Sequence, residues 1–331
     1  MKNYNIGIVG ATGMVGRTFL KILEEKNFPI DHLYLFASSK SKGEKILFRS
    51  KEYVVEELNE DSFNKPIDIA LFSAGGEISK KFAPIAKSKK IVVIDNSSTW
   101  RLYDDVPLVV PEVNPEDVLK HDYIISNPNC STIQSVVPLK PLDDAYHIKR
   151  IIFSTYQAVS GSGVGGVKDL ENGLKNIPPK KYPYPIAFNC LPHIDEFTDT
   201  GYTKEELKMI YETRKILHRN DLNITATTVR VPVMYSHSVS ANVEFDKDFE
   251  LEELVNVLRK AKGIILMDNP KENIYPMPII AEGTDEVYVG RIRRDFSVKS
   301  GVNLWIVADN IRKGAATNTV QIAELLIKNQ F

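Results

Sequence analysis

GIVGATGMVG, residues 7–16, is the stretch that decides the fold. It follows a short apolar run at 4–9 and opens a helical pattern at 15–25. Glycines between a strand and a helix let the backbone approach a pyrophosphate, and the first helical turn offers it free N–H groups. The spacing is G-x-x-G-x-x-G rather than the commoner G-x-G-x-x-G, and a tight turn without a ligand is the alternative. Because the loop lies in the first βα unit, we favour a dinucleotide site.

Strand-like and helical patterns alternate over the first third of the chain. Strands are predicted at 4–9, 32–36, 67–72, 91–94, 108–110 and 123–125, and helices at 15–25 and 77–87. This order predicts a parallel sheet with helices on its faces. The fold class is therefore α/β, with an N-terminal Rossmann-type dinucleotide-binding domain at residues 1–128.

The pattern changes after Cys130. Strands are predicted at 150–155, 225–233, 239–245 and 287–293, and helices at 205–217 and 251–260. Strands in runs with helices grouped apart indicate an α+β domain with a mixed or antiparallel sheet, here 129–309. The proline-rich stretch 178–185 is expected to be a surface loop. A last helical pattern at 310–327 is expected to return to the first domain, which then includes about 310–331.

Composition limits the partners and the compartment. The chain has 331 residues, 43% hydrophobic and 26% charged, with a formal net charge of −1. Neither nucleic acid nor a membrane is indicated as a partner, and apolar runs such as Val106–Val110 are too short to span a bilayer. The first residues carry no signal-peptide pattern. Two cysteines are too few for a disulfide framework or a zinc site, so we expect a cytoplasmic protein without a metal.

The end of the second predicted strand distinguishes the two nicotinamide cofactors. An NAD enzyme usually has an acidic residue there, which binds the ribose hydroxyls. This chain has the hydroxyls of Ser38 and Ser39, followed by the cation of Lys40. Hydroxyls and a cation suit a 2′-phosphate, so NADP is expected. The alternative is a polar loop with an exposed lysine.

Cys130 stands in Asn127-Pro128-Asn129-Cys130-Ser131-Thr132, between a predicted strand and a helical segment. A thiol at a helix N-terminus has a lowered pKa and a larger thiolate fraction, and Asn129 or nearby N–H groups could hold an oxyanion. Pro138 and Pro141 predict a short or kinked helix. The alternative is a buried, inert cysteine. For Cys190, with apolar and proline neighbours, that alternative is preferred.

Together these segments resemble the aspartate-semialdehyde dehydrogenases of many bacteria, from end to end. The resemblance implies a Rossmann domain, a catalytic and dimerisation domain, a homodimer, and a reaction joining β-aspartyl phosphate, NADPH, aspartate semialdehyde and phosphate. The matching blocks are Gly7–Gly16, Leu71–Gly76, Val109–Asn114, Asn127–Thr132, Ser154–Gly161, Arg230–Val233 with His237, and Lys313–Asn318 with Gln321–Glu324.

The same resemblance implies roles for individual residues. Cys130 is similar to the nucleophile, His237 to the acid–base residue and Gln157 to the residue that orients the acyl group. Arg230 resembles the clamp for the substrate α-carboxylate, Glu205 the partner of its ammonium, and Arg101 and Lys208 the phosphate ligands, with Asn129 beside them. The positions matching the NADP site are Gly10, Thr12, Gly13, Met14, Val15, Ser38, Ser39, Lys40, Ser73, Gly75, Ser160, Gly161, Asn318 and Gln321.

Several of these residues have ordinary structural interpretations. Thr203 lies three residues before Glu206, so Glu206 is expected in a capping box and Glu205 shares a helix face with Lys208. Without the resemblance, that pair would be an exposed ion pair. Strand alternation makes Arg230 a candidate solvent-facing arginine, and Arg101 could stack on Trp100. His237 shares parity with apolar residues, as a satisfied core histidine would, unless Tyr235-Ser236 forms a turn.

Other functions remain open at this level. An N-acetyl-γ-glutamyl-phosphate reductase uses the same thioester chemistry, but its substrate has no free ammonium for Glu205 to bind. A malonyl-CoA-type reductase would depend on CoA. A catalytically silent dinucleotide-binding relative should lack the thiol or the histidine, whereas this chain keeps Cys130, Gln157, Arg230 and His237.

Overall fold

The computed structural model describes residues 2–329, which form two compact units. The first unit contains the described residues up to Pro128 and those from Ala315 onward. The second unit is Asn129–Gly314. The strands are β1 Tyr4–Val9, β2 Ile30–Ala37, β3 Lys45–Phe48, β4 Lys51–Val54, β5 Glu56–Glu57, β6 Ile69–Phe72, β7 Val92–Asp95, β8 Ile124–Ser126, β9 Ile148–Gln157, β10 Asn223–Arg230, β11 His237–Phe245, β12 Ile264–Leu266, β13 Val287–Asp295 and β14 Gly301–Ala308. The α-helices are α1 Met14–Glu25, α2 Gly76–Ser88, α3 Cys130–Tyr146, α4 Gly163–Gly173, α5 Lys204–Leu217, α6 Leu251–Lys260, α7 Pro278–Ala281 and α8 Thr317–Lys328.

The first unit contains the predicted parallel sheet. Its order is β5-β2-β1-β6-β7-β8, and every pair in it is parallel. The all-buried runs of β6, β7 and β8 are typical of a parallel sheet covered on both faces. The α/β fold class is confirmed, and the glycine loop connects the centrally placed β1 to α1.

One predicted strand of this unit, at 108–110, is wrong. Only Leu108 makes an isolated bridge, to Ser126. The Asn114 side chain accepts from the N–H of Val110 at 2.9 Å and donates to the carbonyl of Leu108 at 2.9 Å. A side chain therefore satisfies the backbone groups that a neighbouring strand would otherwise pair.

The C-terminal helix belongs to the first unit, as predicted. In α8, the side chains of Val320, Ile322 and Leu326 are fully buried in the same core as Ile6, Ile8 and Phe19. The chain returns at Gly314–Ala315 rather than at 310. The reason is Asn310, whose side chain accepts from the Ser236 N–H at 2.9 Å and contacts the Ser160 hydroxyl at 3.1 Å, both in the second unit.

The second unit has a mixed sheet in the order β10-β9-β11-β14-β13-β12. The two outer pairs are parallel and the three inner pairs are antiparallel. Of the expected short or kinked helix after Cys130, shortness is wrong, because α3 runs for 17 residues with Pro138 and Pro141 inside it. Since α3 is buried along most of its length, its packing outweighs the lost hydrogen bonds.

The stretch 178–185 is mostly exposed, as predicted for a loop. Within residues 2–329, no helix has the length and apolar character needed to cross a bilayer.

The packing of α8 predicts a local effect of Leu326→Ala. Truncating this fully buried side chain should cost about 2–5 kcal/mol. Amide hydrogen exchange followed by mass spectrometry should then be faster in β1 and α1, which share its core, and unchanged in β9 and β11. Lys328→Ala, in the same helix turn but exposed, is the control and should leave all four segments unchanged. Equal exchange in the two variants would show that α8 does not stabilise the first unit.

Candidate active site

The glycine loop of the first unit has the geometry that an anion requires. Gly10 has φ +88°, and a Cβ built on it would lie 2.5 Å from the carbonyl oxygen of Ser73. Only glycine therefore fits this turn. Gly13 is the N-cap of α1 and Met14 its first residue, so no capping side chain covers the first N–H groups of the helix. The loop can present these groups to a pyrophosphate.

The loop after β2 lies beside the glycine loop. Ser38, Ser39 and Lys40 are exposed, and Ser38 is the N-cap of a short 3₁₀ turn. The hydroxyls of Ser41 and Thr12 are 3.2 Å apart, which joins the two loops. Two hydroxyls and one cation thus stand next to the glycine loop.

Other predicted residues of the first unit already have partners within it. Ser73 follows β6 and donates its N–H to Val9 at 2.8 Å, and Gly75 is the N-cap of α2. Asn318 is buried and donates to the Val109 carbonyl at 3.0 Å and to the Asn127 side chain at 2.8 Å. Gln321 donates to Glu112 at 2.9 Å. These hydrogen bonds hold α8 against the side of the sheet where the loops after the parallel strands lie.

Arg101 is buried rather than stacked on the neighbouring indole. Its Nε donates to the Asn127 carbonyl at 3.0 Å and its Nη2 to the Asn96 carbonyl at 2.8 Å. The Trp100 ring instead packs on Tyr103, with centroids 5.4 Å apart, and donates to Ser79. The guanidinium is fixed by backbone carbonyls at the carboxyl ends of β7 and β8, among the loops that follow the parallel strands.

In the second unit, Cys130 is the first residue of α3. Asn129 is the N-cap, and its Oδ1 accepts from the N–H groups of Ser131 at 2.9 Å and Thr132 at 3.2 Å. Cys130 is partly exposed and forms no disulfide. A thiol at this position is close to the positive end of the helix dipole, which favours the thiolate. The expectation of burial for Cys190 is wrong, because that side chain is exposed.

A network of buried carboxylates on α5 holds the start of α3 in place. Glu212 accepts from the Asn129 N–H at 2.6 Å, and Glu205 accepts from the Asn129 Nδ2 at 2.8 Å. Gln157, at the end of β9, donates its Nε2 to the Ser131 hydroxyl at 2.7 Å and to Glu205 at 3.2 Å. The nucleophile candidate, its cap and the predicted acyl-orienting glutamine are therefore tied together.

Glu205 and Glu206 have different functions, as the capping pattern predicts. Glu206 forms the capping box with Thr203 and also accepts from the Thr228 N–H at 3.1 Å. Glu205 instead accepts a hydrogen bond from the Lys208 Nζ at 3.1 Å. Burial raises the pKa of Glu205, but the charge of Lys208, hydrogen bonds from Asn129 and Lys208, and the charge of Arg230 outweigh it and lower the pKa. A buried, ionised carboxylate results.

Arg230 is buried, so its interpretation as a solvent-facing arginine is wrong. It is the last residue of β10, its Nη1 donates to the Ala158 carbonyl at 2.7 Å, and its buried Nε has no hydrogen-bond partner among the described residues. A buried guanidinium with an unused donor can bind an anion such as a carboxylate.

His237 begins β11 after a turn in which Ser236 has φ +70°. Its side chain is fully buried, and its Nδ1 accepts from the Ala158 N–H at 2.9 Å. Its Nε2 has no partner within residues 2–329. Burial first, and the charge of Arg230 second, lower the pKa of His237 well below its ordinary value. The histidine is therefore neutral, and one of its two nitrogens is unused.

Ser160 and Gly161 lie close to these two side chains. A Cβ built on Gly161 would be 3.0 Å from the Arg230 Nη1 and 3.1 Å from the His237 Nε2. Gly161 therefore leaves space in front of both groups. The Ser160 hydroxyl contacts the Asn310 side chain at 3.1 Å. In the second unit, the site thus forms around the ends of β9 and β10 and the starts of β11 and α3. The predicted residues that converge there are Cys130, Asn129, Gln157, Glu205, Lys208, Arg230, His237, Ser160 and Gly161.

Sequence reasoning missed three groups of this site. Glu212 and the N–H of Ala158 act through contacts between residues distant in sequence, which no local pattern indicates. Gly314 was noted only within a matching block. It packs on the nucleophile candidate, since a Cβ there would lie 2.8 Å from the Cys130 Cβ. Its place in a π-helical turn, Arg312–Ala316, is a feature often found at functional sites.

Comparison with known proteins agrees with this arrangement. The family model described as semialdehyde dehydrogenase, NAD binding domain, matches residues 5–121, and the one described as semialdehyde dehydrogenase, dimerisation domain, matches residues 139–313. The aspartate-semialdehyde dehydrogenase of Aquifex aeolicus (strain VF5) is 58% identical over 98% of each chain.

Solved structures give the same result. The crystal structure of aspartate semialdehyde dehydrogenase II from Vibrio cholerae complexed with ASA has a TM-score of 0.95 at 46% identity, covering 100% of both chains. The aspartate semialdehyde dehydrogenase with NADP from Candida albicans has a TM-score of 0.79 at 26% identity, covering 98% of this chain and 99% of that one. A dinucleotide-binding domain is therefore present, and the chain belongs to the aspartate-semialdehyde dehydrogenase family.

Proposed function

We propose that this chain reduces β-aspartyl phosphate to aspartate semialdehyde with NADPH, releasing phosphate, through a thioester on Cys130. This reaction would serve the biosynthesis of lysine, threonine, methionine and diaminopimelate. The observation that carries the proposal is the thiol at the N-terminus of α3, capped by Asn129 and tied to Gln157 and Glu205.

The proposed nucleophile is the Cys130 thiolate. It attacks the acyl carbon, and collapse of the tetrahedral adduct expels phosphate and leaves a thioester. Reduced nicotinamide, when bound, supplies the hydride that reduces the thioester. Gln157 reaches the residue next to the nucleophile, which supports its proposed role in orienting the acyl group. His237 is the proposed proton-handling group.

The two charged groups on the α-carbon of the substrate need binding residues of opposite charge. Arg230, with its unused Nε, is the proposed ligand of the α-carboxylate, and the ionised Glu205 that of the ammonium. Glu205 disfavours an N-acetyl-γ-glutamyl-phosphate reductase, because an acylated substrate offers no ammonium to a buried carboxylate. A CoA-dependent reductase has no observation in its favour.

Arg101 and Lys208 are the proposed phosphate ligands. Lys208 lies between Asp195, at 2.6 Å, and Glu205, so it would turn from one carboxylate toward the incoming phosphate. Asn129 uses its Oδ1 to cap α3 and its Nδ2 to bond Glu205. Its proposed part is therefore to fix these groups in place beside the phosphate.

NADP is the proposed cofactor. The pyrophosphate would bind at Gly10, Thr12, Gly13, Met14 and Val15, and the 2′-phosphate at Ser38, Ser39 and Lys40. The exposure of these last three side chains supports that role. Ser73, Gly75, Ser160, Gly161, Asn318 and Gln321 are proposed to complete the cofactor's surroundings. The residues present fit the group, because the open N-terminus of α1 binds anions without further ligands.

A homodimer in the cytoplasm is the proposed state of the protein. The match to a dimerisation domain supports the dimer. Part of the outer sheet face of the second unit is apolar and accessible, since Tyr156 is 40% exposed and packs on Trp305 at 5.3 Å between centroids. Neither Cys130 nor Cys190 forms a disulfide, which suits a reducing compartment and supports the cytoplasm.

Replacing the nucleophile should separate chemistry from cofactor binding. Cys130→Ala should abolish phosphate-dependent NADPH formation from aspartate semialdehyde, because no thioester can form. Its NADPH affinity, measured by fluorescence titration, should stay close to that of the wild type. Cys190→Ala, the matched control at the exposed cysteine, should keep full activity. Turnover by Cys130→Ala at the wild-type rate would refute the thioester mechanism.

Reversing the charge at Lys40 tests 2′-phosphate recognition. Lys40→Glu should weaken NADP binding by about 1.5–3 kcal/mol, the usual value of a charged hydrogen bond, and should leave NAD binding nearly unchanged. The control is Lys42→Glu in the same exposed loop, whose amine instead contacts Glu57 at 3.4 Å. Calorimetric titration of both cofactors is the measurement. Equal losses for NADP and NAD would contradict the assignment.

Adjacent glutamates allow a matched test of substrate binding. Glu205→Gln should raise the KM for aspartate semialdehyde about 10- to 100-fold, because the amide cannot form an ion pair with an ammonium. Glu206→Gln should instead lower the thermal unfolding temperature with little change in KM, because Glu206 caps α5. Steady-state kinetics and calorimetry distinguish the two. An unchanged KM in Glu205→Gln would remove Glu205 from the substrate site.

A further inference from the structure

Lys208 is shared between two carboxylates. Its Nζ donates to the Asp195 Oδ2 at 2.6 Å and to the Glu205 Oε2 at 3.1 Å. Burial raises the pKa of Asp195, but the hydrogen bond and the charge of Lys208, the N–H of Glu196 and the charge of Lys204 outweigh it and lower the pKa. Glu205 is ionised as well. One cation therefore lies between two anions, and negative charge is in excess around it.

This excess of negative charge opposes the binding of phosphate to Lys208. A phosphate that approaches the ammonium group is attracted by one positive charge and repelled by two carboxylates at similar distances. The repulsion is relieved when Lys208 moves away from one carboxylate and pairs with the phosphate instead. Phosphate binding at this lysine is therefore an exchange of one anionic partner for another.

Asp195 is the partner that Lys208 can leave at the lower cost. The Asp195 side chain is 33% exposed, so water can replace the ammonium there. The Glu205 side chain is only 7% exposed, and it also accepts from Asn129 and Gln157 within the site. Removing a cation from a buried carboxylate is costly, whereas a partly exposed one is solvated.

The backbone holds Asp195 in a fixed position beside the site. Leu191, in the same segment, exchanges two backbone hydrogen bonds with Arg230, at 2.9 and 2.8 Å. The Glu196 carbonyl accepts from the N–H of Lys204, the first residue of α5, at 2.8 Å. Asp195 itself has φ +68°, and its Oδ1 accepts from the Glu196 N–H at 2.9 Å. Its Oδ2 is thereby directed to Lys208.

We infer that Asp195 is a positioning residue that competes with phosphate for Lys208. Phosphate binding exchanges the ion pair between Asp195 and Lys208 for one between Lys208 and phosphate, and phosphate release restores the first pair. The affinity for phosphate is reduced by the free energy of the pair that is given up. This inference rests on the proposed function, in which Lys208 is a phosphate ligand, and adds the group that helps phosphate to leave.

Asparagine at position 195 would break this ion pair without disturbing the loop. Because Oδ1 accepts from the Glu196 N–H, an asparagine in the same orientation keeps its oxygen there and places its amide nitrogen where Oδ2 was. Two donors then face each other, so Lys208 is released. Asparagine also tolerates the left-handed φ of this residue. Asp195→Gly, which adopts that φ freely, is a second variant without the carboxylate.

Both variants should bind phosphate more tightly than the wild type. In the oxidation of aspartate semialdehyde with saturating NADP, the KM for phosphate should fall about 3- to 5-fold, the value of a partly exposed ion pair. The inhibition constant of sulfate, a tetrahedral dianion that competes with phosphate but does not react, should fall by the same factor. The KM for aspartate semialdehyde should change less than about twofold, because Glu205 and Arg230 are retained.

Two controls separate this effect from a general loss of negative charge. Glu196→Gln removes the neighbouring carboxylate, which pairs with Lys204 instead, and should leave the constants for phosphate and sulfate unchanged. Lys208→Met should raise the KM for phosphate. In that background, Asp195→Asn should have no further effect, since the two residues act through one interaction.

The possible failures are distinguishable. An unchanged or higher KM for phosphate in Asp195→Asn and Asp195→Gly, with a raised KM in Lys208→Met, would overturn the inference and leave the proposed function standing. A wild-type KM for phosphate in Lys208→Met would exclude Lys208 as a phosphate ligand and the inference with it. A wild-type protein without phosphate-dependent turnover of aspartate semialdehyde would refute the proposed function itself.

Discussion

The side chain of Asn129 is the constraint on which the candidate active site depends. Its oxygen caps α3 through two N–H groups, and its amide nitrogen donates to Glu205. An asparagine in this orientation can satisfy both partners, whereas an aspartate would place oxygen against the Glu205 carboxylate. One residue therefore sets where the helix starts, where Cys130 stands on it, and which oxygen of Glu205 is already used.

The carboxylates of α5 illustrate how neighbouring residues of one type acquire separate functions. Glu206 stabilises the helix start, Glu212 holds the backbone before Cys130, and Glu205 meets Lys208 and Gln157. All three are buried and accept hydrogen bonds, which is the condition under which buried carboxylates are tolerated. The thiol is therefore placed by polar contacts among buried groups, where a lost partner is costly.

Much of this architecture was predictable from local patterns. The glycine loop, the parallel sheet and the capping box of α5 follow from spacing, and the helical pattern near the C-terminus allowed the return of α8; each is present in the structure. The strand β14 was missed, although its apolar run lies centrally between β11 and β13. A continuous apolar run has no clear period, so it does not distinguish a buried strand from other buried segments.

The errors elsewhere have a common physical origin. Alternation offered a solvent-facing Arg230 as an alternative, and apolar and proline neighbours favoured burial of Cys190, yet the structure buries Arg230 and exposes Cys190. The surroundings of Arg230 and of other site residues come from segments far away in sequence. Ala158 lies 79 positions from His237, and Glu212 lies 83 from Asn129. Such contacts exist only after the chain has folded. A family resemblance can therefore name the site residues, but it cannot name the residues that hold them in place.

The position of α8 in the first core has a consequence for synthesis of the protein. A ribosome releases residues 2–128 long before α8, and until then the apolar surfaces of β1 and α1 lack Val320, Ile322 and Leu326. The second unit, continuous in sequence, can complete its own core before the chain ends. The nucleotide-binding half is thus begun first and finished last, and it spends the intervening period with part of its apolar core uncovered, which a chaperone could recognise.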